Sequence, residues 1–523
     1  MPTGMKKETY TILETNVRLS ESKVWKYQRN YFEQRGQKAW FDGEVPFYGT
    51  SNSFAACTQA ELLLSLLEDL PDPKPKIRII ELGAGTGKFA HLFLCALERI
   101  RPERIRKNDF LYILTDFTLS NIREYPKHPA LRSWFKKEII DSALYDLERP
   151  EDIRLQSNGS SLLEEPNCLY VFIANYVFDG VPQDLFEVRN DCLYEVRVCT
   201  SHSESSWIET DPYNLGKIQI RLEERVWNDG PYQDASWNRI LRTYRTGDAE
   251  LFLSFPTTAF RCMETLSERF RKSIFIICDK GTSTIEDLVP FRAQGPVEHG
   301  SISTPVNFHA IGQWARNKDW QVWEDTEERD YLRLNIYTPL ESKFANVDRE
   351  YSRINRTLSL DDYVYLRRSW EKLTEIVPLR EIISCLKISS WDPKVFLMFY
   401  DKIINQLDSG PSDVSQIEAL KRGLFFIRQK NFFDTEEDVS FALGTVYGKI
   451  GESSEAASAY RESLERYGEN LHTKFNLALC LIDSGQPDEG IILLNELRAK
   501  HPDLPIPALT PLRNGNEQEN VFQ

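Results

Sequence analysis

Glu81, Gly83, Gly85 and Gly87 stand at alternate positions in the stretch IRIIELGAGTG, residues 77–87. Glycine tolerates positive φ and lets a ligand lie against bare backbone. Alternate glycines behind an acid therefore predict a cradle for a small molecule. The spacing also says which cradles this is not. A phosphate loop needs a glycine, four residues and then Gly-Lys-Ser/Thr, yet Leu82 stands at the first position and Phe89 at the hydroxyl. A dinucleotide fingerprint, GxGxxG, would put its last glycine at Lys88. Further along, acids and an amide fall at the ends of apolar runs: Asp116 after FLYILT, Asp141 within KKEIIDSALYDL, and Asn175 and Asp179 after CLYVFIA.

The elements that must position these residues follow from periodicity. Residues 77–82 are apolar and largely β-branched apart from Arg78 and Glu81, which predicts a buried parallel strand. Phe89, Leu92, Phe93, Ala96, Leu97 and Ile100 then recur at helical spacing, and the helix stops before Pro102. The interval to Asp116 holds one helix and a short loop, so Asp116 should stand at the neighbouring carboxyl edge of one sheet. A short third strand turns at Asp141, with Asp146 as its competitor. A fourth, over residues 169–174, runs into Asn175, Asp179 and Pro182. In an open α/β sheet that last loop lies beside the first, over the ligand.

The E-x-G-x-G-x-G turn resembles motif I of the class I S-adenosylmethionine (SAM) methyltransferases, whose ligand carries no phosphate. The resemblance implies a Rossmann-like α/β domain, a mostly parallel seven-stranded sheet with helices on both faces, and SAM as cofactor. Gly83, Gly85 and Gly87 would then admit the methionine moiety, with Glu81 fixing its ammonium group or the loop. A carboxylate at Asp116 can accept both ribose hydroxyls. Phe117 would cover one adenine face, and Asp141 or Asp146 would accept from the adenine amino group. Asn175 and Asp179 would face the methyl acceptor, Asp179 as an orienting carboxylate or weak base, or else as a helix N-cap.

The run ANYVFDGVPQDLFEV resembles the "NE-FFDALP-hqF" signature of the MidA-type methyltransferases, which include the mitochondrial complex I assembly protein-arginine methyltransferase. LYEVRV, IFIICDKG and VEHGSISTPVNFHAIGQWA resemble further blocks of that family in the same order, across roughly residues 25–330. Three positions depart from its pattern. Tyr176 replaces a glutamate, Lys280 a tyrosine and Asn307 an aspartate. Two carboxylates that could grip a guanidinium are thereby absent.

The chain has 523 residues, too long for one ordinary core. Its net charge of −15 makes nucleic acid a poor partner. It shows neither a membrane-length apolar run nor a leader-like N-terminus. Nine cysteines without CxxC pairing read as reduced core residues of a cytoplasmic protein, with no metal. Residues 1–75 should form a helical, aromatic region packed on a methyltransferase domain, 76–345, with a polar insertion, 200–248, as a lid, an arm or an elaborated surface. Ser359 and Asp362 make a capping box at the start of a helical region, 346–433, a possible degenerate repeat. From 434 to 505 a 34-residue period relates Leu443, Gly444, Tyr447, Ala456 and Tyr460 to Leu477, Ala478, Leu481, Gly490 and Leu494. This resembles the tetratricopeptide repeat (TPR), whose exposed face would hold a protein or peptide. The tail, 506–523, should be disordered. The expected function is SAM-dependent methylation of a protein, with arginine among the candidate acceptors. The alternatives are a SAM-fold binding or assembly factor working through its repeats, and a nucleotide-dependent oxidoreductase.

Overall fold

The computed structural model describes residues 10–502, apart from 43–44, 46, 72, 107–108, 151, 163, 205, 227–229, 246–249, 289–296, 299–300, 328, 331, 374–375, 411–412 and 434–436. The expected disordered tail lies outside the described residues. Two compact units divide the chain, Met1–Leu366 and Arg367–Gln523.

The first unit is organised by a sheet whose central strands are β1 (Lys76–Leu82), β2 (Phe110–Asp116), β3 (Ile140–Leu144), β4 (Cys168–Asn175), β5 (Ser273–Thr282), β6 (Gln321–Trp323) and β7 (Leu332–Thr338). Their order is β3-β2-β1-β4-β5-β7-β6, parallel from β3 to β5, with β7 antiparallel to both its neighbours. The predicted glycine-turn strand, β1, pairs on both edges and is buried from Ile77 to Leu82, as its apolar run requires. The sheet is larger and more mixed than the expected seven strands. Arg154–Leu155 adds antiparallel to β3, and Val306–Asn307 adds parallel to β5.

A second sheet was not expected. Thr11–Arg18, Asp184–Arg189, Cys192–His202, Ile218–Val226 and Leu251–Phe255 form five antiparallel strands. Among the described residues the N-terminal region thus begins with a strand ahead of its helices, and about a quarter of the 200–248 stretch is woven into this sheet. The alternation in LYEVRV buries Val196 and Val198 on one face and Leu193 on the other. The helix Lys23–Arg35 starts at Ser22, whose Oγ accepts from Val24 N at 3.3 Å. It packs Val24, Trp25 and Tyr27 against Leu185, Val196 and Val198.

The first unit extends past the expected boundary at residue 345. The Asp69 carboxylate accepts from the backbone N–H groups of Asn346 and Val347, 2.9 Å each to Oδ2, and so caps Ala345–Thr357 from the end of the helix Ser53–Asp69. The capping box is formed: Asp362 N donates to Ser359 Oγ at 3.1 Å and Ser359 N to Asp362 Oδ2 at 3.0 Å.

In the second unit Val439–Lys449, Ser453–Tyr467, Leu471–Asp483 and Pro487–Lys500 are successive helices. Small residues stand where they cross. A Cβ on Gly444 would come within 2.7 Å of the Tyr460 ring, and one on Gly490 within 2.6 Å of the Ala478 carbonyl. Pro393–Asp408 and Val414–Gln429 precede them, with Gly423 against the Trp391 ring. No helix among the described residues is long and apolar enough to cross a membrane, and no described group of acids, histidines and cysteines could hold a metal ion.

Candidate active site

The carboxyl ends of β1, β2, β4 and β5 open into one cleft. Its floor is the glycine turn. Gly83 and Gly85 have φ of +64° and +56°, in the left-handed region that favours glycine. Tyr125 donates to the Gly85 carbonyl at 3.0 Å, and the Gly85 N–H donates to Asp116 Oδ2 at 3.2 Å. Asp116 is anchored by two more donors, Thr118 N at 2.7 Å and Asn121 Nδ2 at 3.1 Å. Burial still pushes its carboxyl above the usual range. With roughly four acceptor sites on a carboxylate, one remains for a ligand. Glu81, behind the turn, accepts from Tyr112 Oη at 2.9 Å. Burial pushes it up to about 8, against the pull of that hydrogen bond.

Seven of the nine predicted residues line this cleft: Glu81, Gly83, Gly85, Asp116, Phe117, Asn175 and Asp179. Gly87 does not. It is the left-handed N-cap of Lys88–Ile100, and a Cβ there would meet Leu131 at 2.9 Å. Asp141 does not either. The third strand begins at Ile140 and continues to Leu144 instead of turning at Asp141. Asp141 therefore sits inside the sheet and holds the loop at Ser157 through its Oγ at 2.5 Å, while Asp146, beyond the strand, reaches the cleft.

The roof comes from the N-terminal helices and was not foreseen. Arg29 makes a bidentate pair with Asp146 at 2.8 and 3.2 Å, reaches Glu148 at 3.1 Å, and lays its guanidinium 4.4 Å from the centre of the Phe117 ring. Phe32 stacks on Trp40 at 5.3 Å, and Trp40 lies so close that a Cβ on Gly85 would sit 3.3 Å from its ring. The aromatic density of residues 25–48 was the available signal.

Asp279, at the end of β5, is the second residue missed. Its Oδ2 accepts from three consecutive N–H groups, Val177 at 3.0 Å, Phe178 at 2.8 Å and Asp179 at 3.2 Å. Its Oδ1 accepts from Lys280 N at 2.8 Å. The acid thus sets the loop that carries Asp179. Burial raises both, Asp279 further because it faces the charge of Asp179. A carboxyl at a strand end is the signal that singled out Asp116, and it applied equally here. Asp179 lies within the one-turn helix Phe178–Gly180 and is not its N-cap. Of the three departures, Tyr176 and Lys280 line the cleft, but Asn307 is a buried helix cap, accepting from Ala310 N at 2.9 Å. Asparagine and aspartate serve that role equally, so no carboxylate is missing from the cleft at that position.

This geometry fits a nucleoside joined to an amino acid. The glycine turn leaves backbone exposed at Gly83, and the Asn175 side chain offers a donor. Its Oδ1 accepts from Gln59 at 3.0 Å while its buried Nδ2 has no partner among the described residues.

Residues 59–323 match the model of a family described as "Putative S-adenosyl-L-methionine-dependent methyltransferase". The chain belongs to that methyltransferase family. SAM is its cofactor, and the acceptor is left open by the match. Residues 451–508 match a tetratricopeptide-repeat model. Two crystal structures of Burkholderia thailandensis proteins are similar. One, bound to S-adenosyl-homocysteine, is 15% identical over 62% of this methyltransferase and 88% of that chain, with a TM-score of 0.41. The other, a native structure of an uncharacterised protein, is 14% identical over 62% and 87%, with a TM-score of 0.39. No curated protein matches this methyltransferase.

Proposed function

We propose that this methyltransferase modifies a protein acceptor that its helical repeats select, in a reducing compartment such as the cytoplasm. The observation that carries the reading is the convergence, in one cleft, of the glycine turn, Asp116 and the Asn175–Asp179 loop. SAM supplies, when bound, a methyl group on a cationic sulfur, which needs alignment and exclusion of water more than acid–base chemistry. The turn, exposed at Gly83, receives the amino-acid end, Asp116 the ribose, and the Phe117–Asp146 side the adenine. Asn175 Nδ2 donates at the reacting end. The Phe32–Trp40 stack covers the turn and keeps water out. The TPR helices support a protein partner, and all nine cysteines are free thiols.

Titration calorimetry with S-adenosyl-homocysteine, followed by transfer of labelled methyl from SAM into a native lysate, tests the reading. Binding with label on protein supports it. Binding without label favours the assembly-factor reading, and no binding refutes both.

A further inference from the structure

Among the described residues that line the cleft, two are cations, Arg29 and Lys280. Arg29 is consumed by Asp146 and Glu148. The Lys280 ammonium makes no hydrogen bond or ion pair with a described residue. It lies 5.4 Å from the centre of the Tyr176 ring and feels the charge of Asp179 across the loop. A lysine ammonium is a strongly hydrated point charge with three donors. Placing one in a cleft wall without a partner leaves it available to an anion.

The sheet order says where that anion stands. Along the carboxyl edge run Asp146 beyond β3, Asp116 on β2, the glycine turn on β1, the Asn175–Asp179 loop on β4 and Lys280 on β5. Adjacent strands are about 4.8 Å apart, so Lys280 is two strands, roughly 10 Å, beyond the glycine turn. A cofactor laid from β3 to β1 ends before it, and the far end of the cleft belongs to the acceptor. The charges there do not suit a cation. Tyr176 supplies no carboxylate, and the Asp179 and Asp279 carboxyls face each other, with Asp279 already committed to four backbone N–H groups.

Resting on the methyltransferase reading above, we infer that the acceptor is a carboxylate, an acidic side chain or C-terminus of a protein, seated on Lys280 and methylated to an ester. A carboxylate oxygen takes the methyl as the methyl–sulfur bond breaks. The products are a neutral methyl ester and S-adenosyl-homocysteine. The negative charge of the acceptor and the positive charge of the sulfonium disappear together. No proton moves and no base is needed.

The test uses the full chain with tritiated SAM and two synthetic peptide pools, one rich in Asp and Glu, the other in Arg and Lys with amidated C-termini. Esters release volatile methanol in alkali, and N-methyl groups do not. The expected result is base-labile label in the acidic pool, reduced at least tenfold in Lys280→Gln and partly restored in Lys280→Arg. Calorimetry should find S-adenosyl-homocysteine bound to Lys280→Gln within about twofold of wild type. Base-stable label, label in the basic pool alone, or undiminished labelling by Lys280→Gln would overturn the inference. So would loss of S-adenosyl-homocysteine binding in that variant, which would put Lys280 on the cofactor, or wild type that binds S-adenosyl-homocysteine but labels neither pool. Wild type that binds neither SAM nor its product would instead overturn the methyltransferase reading beneath it.

Discussion

Replacing Asp116 by asparagine asks whether the acid serves the ligand, the turn, or both. Its Oδ2 takes the Gly85 N–H and the Asn121 amide, and its Oδ1 takes Thr118 N. Asparagine keeps one oxygen and turns the other into a donor, so whichever way it is oriented at least one N–H faces another. A hydrogen bond to a charged group contributes about 1.5–3 kcal/mol, and a buried donor left unpaired costs a similar amount. Losing the turn's anchor together with the ribose acceptor should raise the Kd for S-adenosyl-homocysteine roughly 10- to 150-fold. The unfolding free energy should drop by about 1–3 kcal/mol. Asp141→Asn supplies the contrast: Asp141 ties the sheet to Ser157 outside the cleft, so it should lose stability while binding normally. Calorimetry and urea unfolding on both variants decide. An Asp116→Asn protein that binds like wild type, or an Asp141→Asn protein that loses binding, would refute the assignment.

Gly85→Val should abolish S-adenosyl-homocysteine binding in calorimetry, because valine resists a φ of +56° and would press on Trp40. Arg29→Leu frees Asp146 and Glu148 from the roof; it should lower stability by on the order of 1 kcal/mol, allowing for partial exposure, and weaken ligand binding severalfold. Glu81 is raised to about 8, so the folded state holds a proton that the unfolded state has lost. Its contribution to stability is full below the ordinary glutamate range near 4.5 and disappears as pH rises through about 8. Glu81→Gln should flatten that decline in pH-dependent urea midpoints. A chain ending at Leu366 should fold and bind S-adenosyl-homocysteine, whereas one ending at residue 344 should aggregate in size-exclusion chromatography, because it strips the helix capped by Asp69.

The parts of the site that local chemistry specifies were legible in the sequence. Alternate glycines after a β-branched run dictate a strand and an open turn, and Asp116 follows at the distance of one βαβ crossover. The repeat helices were legible for the same reason, since the small residues that recur, Gly444 with Ala478 and Ala456 with Gly490, include two glycines against which a ring or backbone packs closely. What escaped depends on distant partners. Nothing local distinguishes Asn307 as a helix cap from Asn307 at a substrate. Asp141 and Asp146 exchange roles through a few residues of strand length. Arg29 acquires its role only when Asp146 and Glu148 arrive from the far side of the fold. The strand Thr11–Arg18 escaped because its hydrogen-bonding partner is Cys192–His202, and its own sequence alternates weakly.

That last pairing sets the order in which the protein can become competent. Thr11 meets His202 and Arg18 meets Arg197. The aromatic roof, made early in synthesis, therefore has no sheet to rest on until its partners emerge. At about 5–20 residues per second the wait is on the order of ten to forty seconds. Meanwhile the surfaces of Val24, Trp25 and Tyr27, buried in the finished fold, face water. The glycine cradle and its strands can assemble before that, but its cover cannot. The cofactor pocket therefore closes only after most of the first unit has been made.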